Sequence, residues 1–325
     1  MTTPPVHGGD GRSPSSVHTP LRWLLTLSLA LTGLTLAGCG DDGEADPDVI
    51  DASPTCDDGI QNGNETGVDC GGDCDPCVAL CDPDGDDCLP AQRCRSVDAE
   101  TYTCEPIRIL ALEEVVPSDA KQLVQPSTTV VTELLRELGA SVTAGPGFHE
   151  WDGETPSLDD HDVLIWYQGY WYNESLGEDV QQIVADFVEG GGGLVRTEWA
   201  VYSLNDGAAD VLLTMDRDST PYTYQYGSVW TRAASGHAVG QSLPATFTVE
   251  EAGFSNGVLL DGATTIWSGV YIDDDASPPH VVPMVSSIDH GAGRIVHVNH
   301  DVLYSTNLDD TIIRILADSA IHAAR

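Results

Sequence analysis

The segment that decides the fold runs from Asp162 to Ala200. It opens with DVLIWY (Asp162–Tyr167), continues through Val180, Ile183, Val184, Phe187 and Val188, breaks at Gly190–Gly193 and resumes with LVRTEWA (Leu194–Ala200). A nearly continuous apolar run bounded by polar residues is the pattern of a strand covered on both faces, as in parallel sheets. The five apolar positions that follow have the i, i+3, i+4, i+7, i+8 spacing of an amphipathic helix. Glycines supply the backbone freedom that ends such a helix, and LVRTEWA begins the next strand.

Toward the N-terminus, IRILAL (Ile107–Leu112) is a short β run. Ser127–Leu138 reads as a helix with Val130, Val131, Leu134, Leu135 and Leu138 on one face, and Ser141–Ala144 as a second strand. Strand, helix, strand, strand, helix, strand predicts an α/β sheet with helices packed on its faces. Its functional edge is then the carboxyl ends of the strands. This predicted domain spans residues 107–325, enough chain for a full core.

Residues 56–105 have a different texture. Of the nine cysteines in the chain, eight lie here: Cys56, Cys70, Cys74, Cys77, Cys81, Cys88, Cys94 and Cys104. An even number confined to a short exported segment predicts a small module stapled by four disulfides, with the pairing left open. Half of a zinc site at Cys74-Asp75-Pro76-Cys77 is the alternative, disfavoured in an oxidising compartment. The run CDDGIQNGNETGVDCGG (Cys56–Gly72) resembles a Cys-rich motif of secreted and lipid-anchored bacterial proteins, which implies export and disulfides but no particular activity. Between Cys81 and Cys88, Asp82, Asp84 and Asp86 offer hard oxygen ligands for calcium. The turn departs from an EF-hand loop, with Gly85 at the fourth position and Arg93 at the twelfth, and an acidic turn without an ion is the other reading.

The leader carries Arg12 and Arg22 ahead of an apolar run from Trp23 to Leu36, then Leu36-Ala37-Gly38-Cys39. That run is too short to span a bilayer and suits a signal-peptide core. Leu-Ala-Gly-Cys resembles the lipobox of bacterial lipoproteins. The resemblance implies a signal peptide over residues 1–38, diacylation (palmitate) at Cys39 and a stable membrane anchor; an ordinary secretory signal is the alternative. Gly40, where an inner-membrane lipoprotein would carry Asp, implies the outer membrane by the same resemblance. Residues 39–55, rich in Asp, Pro and Gly, read as a flexible acidic linker. The chain has 13 basic and 52 acidic side chains, a net charge of −39, and removing residues 1–38 leaves it close to −40. Such a surface repels nucleic acid and anionic lipid, and nucleic-acid binding is rejected on that ground, while the membrane stays a partner through the lipid anchor. Cation binding and a merely solvated surface are the two readings of the acid excess.

Within the α/β part, LLRELGASVTA (Leu134–Ala144), HDVLI (His161–Ile165), DFVEGGGG (Asp186–Gly193) and GRIVHV (Gly293–Val298) before a terminal helix are similar to the class I glutamine amidotransferase-like fold. The trehalose-utilisation-type branch is nearest in texture, and HAVGQSLP (His237–Pro244) resembles a connecting segment of that branch. The resemblance implies a flavodoxin-like, glutamine amidotransferase-like sheet. It also implies a nucleophilic Cys just after the strand that follows the glycine-rich helix end. Here that stretch is Arg196-Thr197-Glu198-Trp199-Ala200, with no Cys and no Ser before Ser203, so thiol catalysis does not carry over.

On this topology the strand ends gather Glu113 and Glu114, the stretch Gln168–Tyr172 with Tyr170 and Trp171, Glu198 with Trp199, and His300 with Asp301. By resemblance Glu198 stands in the place of the nucleophile and His300 where the family often has its histidine. Aromatic faces beside carboxylates are suited to stacking on sugar rings and holding their hydroxyls. Three readings follow. The first is a non-catalytic or weakly catalytic domain that binds a small polar ligand, carbohydrate above all, at the cell envelope. The second is a hydrolase-like enzyme using Glu198 and His300, with or without a divalent metal. The third is a structural or adhesive surface protein whose Cys-rich part binds calcium. Core packing and strand capping would account for each of these residues singly, since fold does not imply function.

Overall fold

Apolar runs covered on both sides form the centre of the sheet, and helices cover them. The computed structural model describes residues 56–57, 59–65, 68–70, 72–74, 77, 80–82, 87–97, 101–113, 126–168, 174, 176–197, 199–202, 212–217, 223–271, 280–302 and 309–325. The elements in chain order are β1 (Gln92–Ser96), β2 (Tyr102–Pro106), β3 (Arg108–Glu113), α1 (Pro126–Glu137), β4 (Ser141–Gly147), β5 (Val163–Trp166), α2 (Glu178–Glu189), β6 (Gly193–Thr197), α3 (Trp199–Tyr202), β7 (Met215–Arg217), β8 (Thr223–Arg232), β9 (Thr246–Phe254), β10 (Gly257–Leu259), β11 (Thr264–Tyr271), β12 (His280–His290), β13 (Gly293–Val298) and α4 (Asp310–Ala323).

The main sheet has nine strands in the order β4-β3-β5-β6-β13-β12-β11-β8-β9. The first five are parallel. Counted among themselves they run 2-1-3-4-5, the flavodoxin-like doubly wound order. The other four continue the sheet antiparallel from β13. The predicted α/β architecture is therefore present, with an antiparallel wing added to its parallel half.

Alternation along the central strands assigns side chains to two cores. Ile109, Ile165, Val195 and Val296 face α1 and α4, packing on Val131, Leu135, Ile312 and Leu316. Leu110, Leu164, Leu194 and Ile295 face α2 through Val184 and Val188. Asp309 caps α4, its carboxylate accepting the Ile312 N–H at 2.9 Å. At the amino ends of the strands the backbones approach closely. A Cβ on Gly293 would lie 2.2 Å from the carbonyl oxygens of Gly192 and Val188, and Gly191 has φ +113°. Only glycine fits both demands.

All eight cysteines of residues 56–104 are paired, as Cys56–Cys74, Cys70–Cys77, Cys81–Cys94 and Cys88–Cys104. The zinc alternative falls because Cys74 and Cys77 are both bonded elsewhere. Cys94 and Cys104 face each other across the β1–β2 hairpin, and each reaches outside it for its partner.

Residues 56–325 form one unit. Ala91 donates its N–H to the Leu138 carbonyl at 2.9 Å, and Ile107 donates to Ala91 at 3.0 Å. Arg93, Arg95 and Arg108 converge on the Asp162 carboxylate at 2.6, 3.1 and 3.1 Å. Burial alone would raise the Asp162 pKa, but the hydrogen bonds from Arg108 and the charge of Arg93 outweigh it and hold the group well below the usual carboxylate range. No helix among the described residues is long and apolar enough to cross a membrane.

Candidate functional site

The run LVRTEWA leaves the sheet earlier than its apolar pattern suggests: β6 ends at Thr197 and α3 starts at Trp199. Thr197 is the register partner of Val298, the last residue of β13. Residues 199 and 299–301 thus emerge at one edge, at the carboxyl ends of the parallel strands. There the partly buried Trp199 donates its Nε1–H to Asp301 Oδ1 at 3.0 Å.

The segment after β13 is held by its backbone. Asp301 donates its N–H to the Gly253 carbonyl at 2.7 Å, and Asn299 donates its N–H to Met284 at 2.8 Å. The Asn299 side chain donates to the carbonyls of Ser255 and Pro283, both at 2.8 Å, and accepts the Ser255 N–H at 2.9 Å. His300 is fully buried, and its ring meets Trp230 edge-on with 5.7 Å between centroids.

Of the residues expected at this edge, the structure therefore joins Trp199 with Asp301 and turns His300 inward. Glu113 closes β3 opposite Gly147. Glu114, Tyr170, Trp171, Tyr172 and Glu198 lie outside the described residues. So do Cys39, Asp84 and Asp86; Asp82 is described, and its N–H donates to Asp87 Oδ2 at 3.1 Å.

A second polar group escapes a reading of periodicity. Register places Trp166, Arg196 and His297 side by side on β5, β6 and β13. Paired residues of a parallel sheet share a face, so this row lies one pleat beyond the row Leu164–Leu194–Ile295 that α2 covers. The Arg196 guanidinium stacks on the Trp166 ring at 3.6 Å and donates to Gln168 Oε1 at 2.8 Å. Arg196 and His297 are fully buried. His297 Nε2 lies 3.1 Å from the Thr197 carbonyl. Burial, reinforced by the Arg196 charge, pushes the His297 pKa down to about 3. The imidazole is therefore neutral near pH 7 and its proton sits on Nε2, because a carbonyl only accepts. The signal in the sequence is a charged or titratable residue interrupting two apolar strands, LVRT and IVHV, at the same register.

Two crevices lie at the opposite, amino ends of the strands. One, of about 400 Å³, is lined by Arg93, His161, Asp162, Asp186 and Gly190–Gly192. The other, of about 230 Å³, is lined by Asp289, Arg294 and the last residues of the chain. In doubly wound sheets the usual ligand edge is the carboxyl one, where Trp199 lies.

No protein-family model matches the chain, and no curated protein matches it in sequence. Among solved structures, the chain is similar to a protein of Parabacteroides merdae described as ThuA-like, with TM-score 0.50 and 15% identity, over 68% of this chain and 90% of that one. A ThuA-like protein of Bacteroides uniformis gives TM-score 0.47 and 14% identity, over 65% of this chain and 88% of that one. A β-galactosidase of Rahnella sp. R3 gives TM-score 0.46 and 16% identity, over 67% of this chain and 30% of that one. At such identities the likeness concerns fold. Together with the 2-1-3-4-5 strand order, the likeness to the Parabacteroides merdae protein shows a flavodoxin-like α/β fold for the C-terminal part, carried behind a disulfide-rich module.

Proposed function

We propose that this chain is a bacterial cell-envelope lipoprotein, anchored at Cys39 in the outer membrane, whose α/β domain binds a carbohydrate at the carboxyl ends of its strands without thiol catalysis. The observation that carries the binding reading is the Trp199–Asp301 hydrogen bond, which fixes an indole at the ligand edge of a doubly wound sheet. An indole oriented in this way offers an apolar face to a sugar ring while its polar edge is already satisfied. The ThuA-like fold of the neighbour from Parabacteroides merdae supports carbohydrate as the ligand class. Burial of His300 against Trp230 favours binding over hydrolysis, because a general base must reach the substrate.

Calorimetric titration of the mature chain with neutral mono- and disaccharides tests the reading. Wild type should bind at least one of them, and Trp199→Ala should weaken that affinity by about tenfold, the scale of a lost stacking face. Equal affinity in wild type and Trp199→Ala would remove the site from this edge.

A further inference from the structure

In the row Trp166–Arg196–His297, Trp166 Nε1 and His297 Nδ1 are buried and have no hydrogen-bond partner among the described residues. The first is only a donor. The second, with the ring proton on Nε2, is only an acceptor. They stand on strands either side of β6, flanking a guanidinium whose position is set by Trp166 and Gln168. Leaving one buried polar atom unmatched costs about 1–3 kcal/mol, so a partner offering an acceptor on one side and a hydroxyl on the other is favoured there. A hydroxy-carboxylate has that complement: its carboxylate accepts from Arg196 and the Trp166 N–H, and its hydroxyl donates to His297 Nδ1.

We infer that this row is the seat for the carboxylate and neighbouring hydroxyl of an acidic sugar. The sugar part of the ligand rests on the carbohydrate reading above, whereas the carboxylate seat does not. Arg196, near the end of β6, precedes Trp199 at the start of α3 by three residues, and His297 on β13 precedes Asp301 by four. The acid group thus sits on the α2 face while the rest of the ring extends toward Trp199.

The net charge of −39 adds a distinguishing property. Surface carboxylates repel an anionic ligand at long range and are screened by salt, while a buried guanidinium contact is screened far less. Binding of the acid should therefore tighten as salt rises toward physiological strength, the reverse of adsorption to surface lysines or arginines.

The test is calorimetry of the mature chain with D-glucuronate, D-glucose and glycolate at low and physiological salt. Glucuronate should bind about tenfold or more tighter than glucose, as expected for a charge-assisted contact. Arg196→Met should erase that preference. Trp166→Phe, which keeps a ring for the stack and removes the donor, should cut it severalfold with the melting curve preserved, so the result does not depend on the arginine variant folding. If glucose and glucuronate bind alike, or Trp166→Phe leaves the preference intact, the inference is wrong and the two atoms are matched by ordered water. If glycolate binds with the predicted variant dependence and neither sugar does, the carboxylate seat stands and the carbohydrate reading fails. If none of the three binds, both fail.

Discussion

His297 occupies a place where a charged imidazole is costly. In the folded chain its pKa lies near 3, lowered first by burial and then by Arg196, against an ordinary value of about 6.5. His322, whose ring contacts His237 at 4.4 Å, is lowered to about 4, mainly by burial. Above about pH 6.5 both groups are neutral whether the chain is folded or not, and they add no pH dependence. As pH falls from there toward 3, the unfolded chain takes up protons that the folded chain refuses, and stability declines. Each such proton steepens the decline by about 1.4 kcal/mol per pH unit. Asp318 has the opposite sign, since burial raises its pKa and the folded chain protonates first. Denaturation midpoints followed from neutral pH to pH 4.5 should therefore fall, and His297→Gln, whose amide can still donate to Thr197, should flatten the slope. Identical slopes in the two proteins would mean that His297 is charged or hydrated in the folded state.

Among the parallel strands, β3, β5 and β6 were legible because burial on both faces writes largely apolar runs, β4 only as the short run Ser141–Ala144, and β13 with the terminal helix only through the resemblance, while α2 writes its stripe without a miss. The antiparallel wing was not. β12 carries Pro283, which lacks a ladder donor and in a central strand argues against that assignment. It is tolerated because β13 pairs with β12 only from Val285 onward, while the Asn299 side chain donates to the Pro283 carbonyl in its place. The Trp199–Asp301 contact was half legible: a shared strand edge follows from topology, but which side chains turn inward depends on where each strand ends. LVRTEWA gives no sign that α3 begins at Trp199, and His300 turns in because the wing brings Trp230 against it. At the same scale, Asp162 at the start of β5 is the point where the β1–β2 hairpin meets the parallel sheet. Replacing it with Asn leaves three guanidiniums facing one another across half-buried surface. The cost should be about 1–3 kcal/mol, between the values for exposed and fully buried pairs. Chemical denaturation would measure that loss, and limited proteolysis should show earlier cleavage within residues 56–105. An unchanged cleavage pattern would mean that Ala91, Ile107 and the apolar contacts hold the hairpin without the ion cluster.

Taken whole, the described part of the chain combines a disulfide-stapled module seated on the sheet with an α/β domain in which Trp199 is hydrogen-bonded to Asp301 at the carboxyl ends of the parallel strands, and the proposed function adds an acidic tether and a lipid anchor ahead of them. On this account mass spectrometry of the mature protein finds a diacylated Cys39 at the N-terminus and no free thiol between Cys56 and Cys104. An unmodified terminus elsewhere would make the protein secreted and untethered. The reading that joins fold to function is that ligand binds at the carboxyl ends of the strands. A crystal structure of the mature chain soaked with a bound sugar tests it most directly. The account predicts the sugar ring against Trp199, beside Asp301, at the end of β6. Sugar density in the crevice of Arg93, His161 and Asp186 at the other end of the strands, with nothing at Trp199, would contradict it.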